Sequence, residues 1–529
     1  MDLSEQLAAV MPASLWGTVA QTVGTTVAAA SFPAPIGAVA EIERQAAAPL
    51  LAEVIGFRDD MTLLYPFSSL EGVRHGNRVR LSRTSRWLRV GPELLGRVID
   101  AHGRAVDGKP EPALRERTSF QRTPPHPCTR PRITEPLTTG VRAIDGLLTC
   151  GKGQRMGIFA GSGVGKSVLL GMMARYTSAQ VIVIALIGER GREVNEFIER
   201  DLGPEGLAKS VVVVATSNEP ASIRTQAALT ATAVAEYFRD QGLDVLLLVD
   251  SLTRYALAQR EIGLAAGEPP TTRGFPPSVF ALLPKLVERA GRSPQGSITA
   301  FYSVLVEADD PNEPICDTVR GLIDGHTWLS RSLGSRGHYP AIDVLESLSR
   351  LMPEVTTEEH RKAANAVREM LAVYRENEDL ITVGAYRRGA NRLIDVAIDL
   401  REEIHRFLRQ SVNERSTLDD AQAGLKRLYQ QMQIQLNSEP ATASQPQPAV
   451  AKSAPPSAAA KTAAQPAAAK TPPQTAAAKT SPPTAPARTV PQTGLSKVLP
   501  QGAVPKTGPQ AALAAAGKKL ASKGTPRRT

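Results

Sequence analysis

Two hydrophobic periodicities divide the chain. Between Gly17 and Pro110, short apolar runs are punctuated by Gly, Pro, Asp and Asn: "GTVAQTVGTTVAAA", "LLAEVIGF", "MTLLYPF", "NRVRLSR" and "LGRVIDAHG". Brief strands at such spacing predict a small sandwich or barrel. The connection "RTPPHPCTRPRITEP" follows, and its X-Pro pairs favour extended backbone, so it reads as a domain boundary. From Leu137 to Met352 the runs become almost continuous Val, Ile and Leu: "RMGIFAG", "VIVIALIG", "VVVVAT", "DVLLLVDS" and "SITAFYSVLV". Runs of this kind, alternating with helical stretches, predict strands buried on both faces of a mainly parallel sheet. After Pro353 the pattern turns helical. Thr356 and Glu359 have capping-box spacing, and Leu393, Val396, Ala397, Leu400, Ile404, Phe407 and Leu408 mark one apolar helix face.

The expected architecture is therefore α/β in four parts. These are an N-terminal region with a small β-barrel over 1–120, an α/β domain over 121–355, a helical domain over 356–438 and a tail over 439–529. No aromatic follows Tyr429, and an Ala-Lys-Thr-like unit recurs every nine residues from Ala451 to Ala487. A segment of Ala, Pro, Lys, Thr, Ser and Gln cannot bury enough apolar surface to offset its ordering entropy, so the tail is expected to be disordered.

Charge changes the picture only in that tail. The net charge is +10, but twelve Lys and Arg and no Asp or Glu follow Glu439. Removing those twelve from 62 leaves 50 basic against 52 acidic residues, a balance of −2. The region expected to fold thus lacks the basic footprint of a nucleic-acid-binding protein. The tail suits electrostatic tethering to anionic lipid or nucleic acid, or serves as a solvated appendage. Three widely spaced cysteines, Cys128, Cys150 and Cys316, fit neither a zinc cluster nor a disulfide framework and suit a reducing cytosol. Apolar runs of membrane-spanning length and a charged leader are both missing, so a cytoplasmic protein is expected.

The chemistry concentrates in "GIFAGSGVGKSVLL". Phosphate binding needs several backbone N–H groups pointing into one concavity at a helix start, and glycine lets the chain wrap that closely. Gly161, Ser162, Gly163, Val164 and Gly165 supply the loop, ahead of Lys166, Ser167 and Val168. Lys166 is expected on the β- and γ-phosphates and Ser167 on a Mg²⁺ ion. Ala160 replaces the usual first glycine, at a position that opens the turn. Asp250 ends the apolar run "DVLLLVD". Alone it reads as a turn residue or cap; beside a phosphate loop it reads as the second magnesium-side group. Glu189 lies just past the strand Val181–Ile187, at the sheet edge where open α/β folds bind ligands, and suits a general base. Arg190 is placed to steady the γ-phosphate, whereas Arg192, Glu193 and Glu196 read as surface ion pairs.

In this order the pieces resemble a hexameric RecA-type P-loop ATPase of the rotary ATP synthase superfamily and, more narrowly, the flagellar and type III protein export ATPases. The resemblance runs from about Gly17 to Met432. It rests on "PLTTGVRAIDGLLTCGKGQRMGIFAGSGVGKSVLLGMMAR", "IGERGREVNEF", "DSLTRYALAQREIGLAAGEPPTTRGFPPSVFALLPKLVERAG" and "LSRSLGSRGHYPAIDVLESLSRLMP". "GEPPTTRGFPPSVFALLPKL" and "DLITVGAYRRGANRLIDVAID" favour the export branch. The resemblance implies that Arg350 acts as an arginine finger on the neighbouring subunit's site and that Tyr339 stacks on the adenine. It also implies a homohexamer meeting regulatory and stalk subunits, export substrates and chaperones, with the extreme N-terminus on a regulatory partner. Such a ring attaches peripherally to the export gate of the inner membrane. The competing readings are a catalytic subunit of a rotary ATP synthase or ion pump, a nucleic-acid-translocating hexamer, and a scaffold that binds ATP without turnover.

Overall fold

A computed structural model describes residues 14–438 except Ala46 and residues 307–309. The tail 439–529 and the extreme N-terminus, to which tethering and partner contacts were assigned, lie outside the described residues.

The first strands close into a six-stranded barrel in the order Trp16–Val23, Thr26–Ala30, Met61–Pro66, Ala47–Arg58, Val39–Arg44 and Arg78–Arg83. Alternation places Val19, Val27, Ile42, Leu50, Val54, Leu64 and Val79 inside, where they form a separate core. The first hairpin turns through Gly24 and Thr25, and Gly24 adopts φ 57°, the left-handed conformation that a two-residue hairpin loop demands.

One run expected among the barrel strands belongs elsewhere. Arg97–Asp100 pairs in parallel with Ser210–Thr216 at the edge of the large central sheet. The reason is burial on both faces. Val98 and Ile99, adjacent in sequence, pack into different hydrophobic cores on the two sides of the sheet. A barrel strand would have left one of them facing solvent.

The central sheet runs Ile342–Ser349, Gly325–Leu329, Arg155–Ala160, Ser297–Leu305, Asp244–Asp250, Val181–Glu189, Ser210–Thr216 and Arg97–Asp100, with Gly291–Arg292 paired to the side. Apart from Ile342–Ser349 and Gly291–Arg292 the strands are parallel, and helices cover both faces, so their interiors read as unbroken apolar runs. The carboxyl ends of Arg155–Ala160, Asp244–Asp250 and Val181–Glu189 lie along one edge, with Ser297–Leu305 between the first two, in the arrangement that collects ligands there.

Three helices follow: Glu358–Thr382, Arg392–Leu408 and Leu418–Asn437. Val396, Ala397, Leu400, Ile404, Phe407 and Leu408 are buried against Ala363, Val367, Met370, Leu425 and Leu428. Leu393, in the first turn, is 37% exposed and falls off that face. The capping box expected at Thr356 does not form, and the N-cap lies one residue further on. A short helix, Met352–Val355, takes Thr356 as its C-cap, and the Thr356 hydroxyl donates to the Met352 carbonyl. Thr357 becomes the N-cap instead, its hydroxyl oxygen accepting the His360 N–H. Among the described residues no helix is long and apolar enough to cross a membrane.

Candidate active site

The strand Arg155–Ala160 runs into a loop, Gly161–Gly165, and then the helix Lys166–Tyr176. Gly163 and Gly165 adopt φ 80° and 95°, where a side chain would be strained. Gly165 is the N-cap and offers no side-chain cap, so the first helical N–H groups face the cleft and favour an anion. Ala160 still belongs to the strand: it pairs with Leu305 and Leu329, and its methyl group is buried. Neither its backbone nor its position calls for glycine. Val164 is also buried and does not line the cleft, while Val168 lines its wall.

The cleft has a volume of about 650 Å³. Gly161, Ser162, Gly163, Gly165, Lys166 and Ser167 form one side, and Glu189 and Arg190 another. Lys166 Nζ lies 2.5 Å from Asp250 Oδ1 and 3.9 Å from Glu189 Oε1. Asp250 is buried beneath them, and the Ser303 hydroxyl donates to the same Oδ1 at 2.8 Å. The strand carrying Glu189 skips a register position at Gly188, whose φ is 69°, a local irregularity of the kind that re-aims a side chain beside a site. Burial and the neighbouring Asp250 charge push the Glu189 carboxyl up to about 7, against the opposing pull of Lys166. The result is a carboxylate poised to exchange a proton near neutrality, within reach of the phosphate loop.

The remaining expected residues divide. Arg190 reaches the cleft mouth but is 81% exposed and paired with Glu193 at 3.0 Å. Arg192 and Glu196 pair at 3.2 Å, as a surface reading expected. Tyr339 is half exposed, and its ring comes within 3.7 Å of the point a Cβ on Gly165 would occupy. It borders a second cleft of about 590 Å³ with Arg142, Arg406, Arg409 and Gln410. Arg350 is not brought to this site. It follows the strand Ile342–Ser349, whose Ile342 end pairs with Leu329 beside the phosphate loop and whose Ser349 end pairs with Gly325. Arg350 therefore stands, exposed, at the opposite end of the sheet.

Arg254 was missed. It is the third residue of the helix Leu252–Ala266, its side chain packs over Gly188, and its charge acts on Glu189. A cation one turn beyond a strand-ending Asp was the available clue. Arg331 and Asp201 also line the cleft without any distinguishing sequence context.

Residues 140–349 match the nucleotide-binding domain of the ATP synthase alpha/beta family, and residues 356–427 match the C-terminal domain of the type III secretion system ATPase EscN. The chain is 51% identical to a flagellum-specific ATP synthase of Bacillus subtilis over 415 residues, covering 78% of this chain and 95% of that protein. It is also 51% identical to a type 3 secretion system ATPase of Xanthomonas euvesicatoria, covering 79% and 95%. Among solved structures, the assembled ATPase EscN of enteropathogenic E. coli superposes with a TM-score of 0.75 at 48% identity, over 78% of this chain and 99% of that one. The second matched domain and these relatives separate the chain from the rotary, ion-pumping branch. A phosphate loop on an α/β core, joined to a helical domain of the secretion type, thus makes this chain a member of the flagellum-specific and type III secretion ATPases within the ATP synthase alpha/beta family, an ATP-hydrolysing enzyme of protein export.

Proposed function

We propose that the chain hydrolyses Mg-ATP at the Gly161–Ser167 cleft to energise protein export, in a homohexameric ring whose sites are completed between subunits. The observation that carries this is the convergence of Lys166, Glu189 and Asp250 on the phosphate loop, with Glu189 held near neutrality. The loop N–H groups and Lys166 bind and orient the phosphates. Glu189 takes the proton of the attacking water on its carboxylate. Ser167 and Asp250 offer a hydroxyl and a carboxylate oxygen, a hard donor set that fits Mg²⁺. The ion, when bound, neutralises phosphate charge. Arg190, tied to Glu193 at the rim, has a lesser part on the γ-phosphate.

The position of Arg350, far along the sheet from its own phosphate loop, supports its use on a neighbouring subunit, where a cation arriving at the γ-phosphate stabilises the transition state. Tyr339 is assigned to the adenine, a reading supported by the approach of its ring to Gly165. The relative EscN has been solved assembled and with its central stalk EscO, which supports a ring with a stalk partner here. Regulatory subunits, chaperoned substrates and a peripheral seat at the membrane gate complete this reading, and the domain limits 1–120, 121–355 and 356–438 are its working boundaries.

Substitution Glu189→Gln tests it. ADP binding is expected to be retained while turnover falls at least about 100-fold, the scale of a lost general base. Near-normal hydrolysis would remove Glu189 from that role.

A further inference from the structure

Gln410 lies two residues past the helix Arg392–Leu408, and only 5% of it is exposed. Burying an uncharged amide is costly unless its donors and acceptor are met. Two pieces of chain meet them, and the Gln410 backbone ties a third. Nε2 donates to the Gly140 carbonyl and to the Glu414 carbonyl, both at 2.8 Å. Oε1 accepts the Arg142 N–H at 2.8 Å. The Gln410 backbone N–H donates to the Tyr339 carbonyl at 3.0 Å. Two carbonyls on one side and an N–H on the other fix which way the amide faces.

Each tethered piece bears on the second cleft. Tyr339, Arg142 and Glu414 line it directly, and Arg142 is held further by its guanidinium, which donates to the Arg409 carbonyl and to Glu414. The Gly140 turn is itself tight. Gly140 has φ 80°, a Cβ there would collide with Tyr176, and its N–H donates to the buried Asp145. Among the bonds that join the helical domain to the nucleotide-binding domain, those of this amide lie at the point where Tyr339 leans toward Gly165. The phosphate loop, by contrast, has no hydrogen bond to Gln410 among the described residues.

We propose that Gln410 is a positioning residue for the base end of the nucleotide: it holds Tyr339, the Gly140–Arg142 turn and the 411–414 turn in the geometry that receives the base, and leaves phosphate binding untouched. This rests on the reading of the clefts as one nucleotide site. Gln410→Glu is the sharpest variant, since it keeps the side-chain volume and the acceptor for Arg142 but sets a carboxylate oxygen against two carbonyls. Gln410→Ala removes all three side-chain bonds.

The experiment compares the full chain with both variants, measuring affinity for ADP and for inorganic tripolyphosphate, each with Mg²⁺, by calorimetry. The variants are expected to lose about tenfold in ADP affinity, with tripolyphosphate affinity unchanged. In turnover assays the KM for ATP rises by a similar factor while kcat at saturation is kept, a split that general loss of folding does not produce. Equal losses for both ligands, or an ADP affinity that does not change, would overturn the proposal. Failure of the unsubstituted chain to bind ADP at all would overturn the nucleotide reading itself, and this proposal with it.

Discussion

The neighbours of Glu189 act on it in opposite senses. Asp250 and burial favour its protonated form, Lys166 its charged form, and the balance lies near pH 7. A general base works only when deprotonated, so turnover is expected to climb with pH through about 7 and to fall below it. The stability effect has the opposite sign. A carboxyl whose pKa is raised on folding binds more protons in the native state, so its contribution is present at low pH and lost as pH rises toward 7. A turnover profile at saturating ATP that stays flat between pH 6 and 8, at unchanged oligomeric state, would contradict the assignment of the base. At this scale, legibility followed backbone position. Glu189 and Asp250 end apolar strands, Gly163 and Lys166 follow another within a glycine-rich loop and helix start, and such positions are visible in the sequence. Arg254 sits inside a helix and meets Glu189 only through packing over Gly188, which no periodicity records.

The strand Arg97–Asp100 shows where element-level reading stops. Its residue types announced a strand, but its partner, Ser210–Thr216, is more than a hundred positions away. Membership of a sheet is set by such distant pairing, and only the adjacent burial of Val98 and Ile99 hinted at it. The helix cap slipped for a related reason. Two consecutive threonines are equivalent by composition, and the short helix Met352–Val355 decides between them by claiming the first. Thr357→Ala is expected to cost about 1 kcal/mol, read as a lower melting temperature, and Thr357→Asp is expected to restore it. No change in the alanine variant would show that the Thr357 hydroxyl does not cap this helix.

At the scale of the molecule, the near-neutral charge balance through residue 439 speaks against a nucleic-acid motor, and the matched secretion-type helical domain agrees with it. The barrel, the mixed but mainly parallel sheet and the helical domain were all legible, because each has its own hydrophobic pattern. What one chain cannot display is a site shared between subunits, the role proposed for Arg350. Arg350 is exposed at the far end of the sheet from Glu189, so the two are expected to act together only across a subunit interface. This calls for mixing two inactive proteins. Glu189→Gln supplies a sound Arg350, and Arg350→Ala supplies a sound Glu189. Each is expected to bind ADP and to be nearly inert alone, while co-assembled they should regain ATPase activity at the interfaces that unite the two intact residues. Mixed assemblies that form but remain as inert as their parents would contradict the shared site.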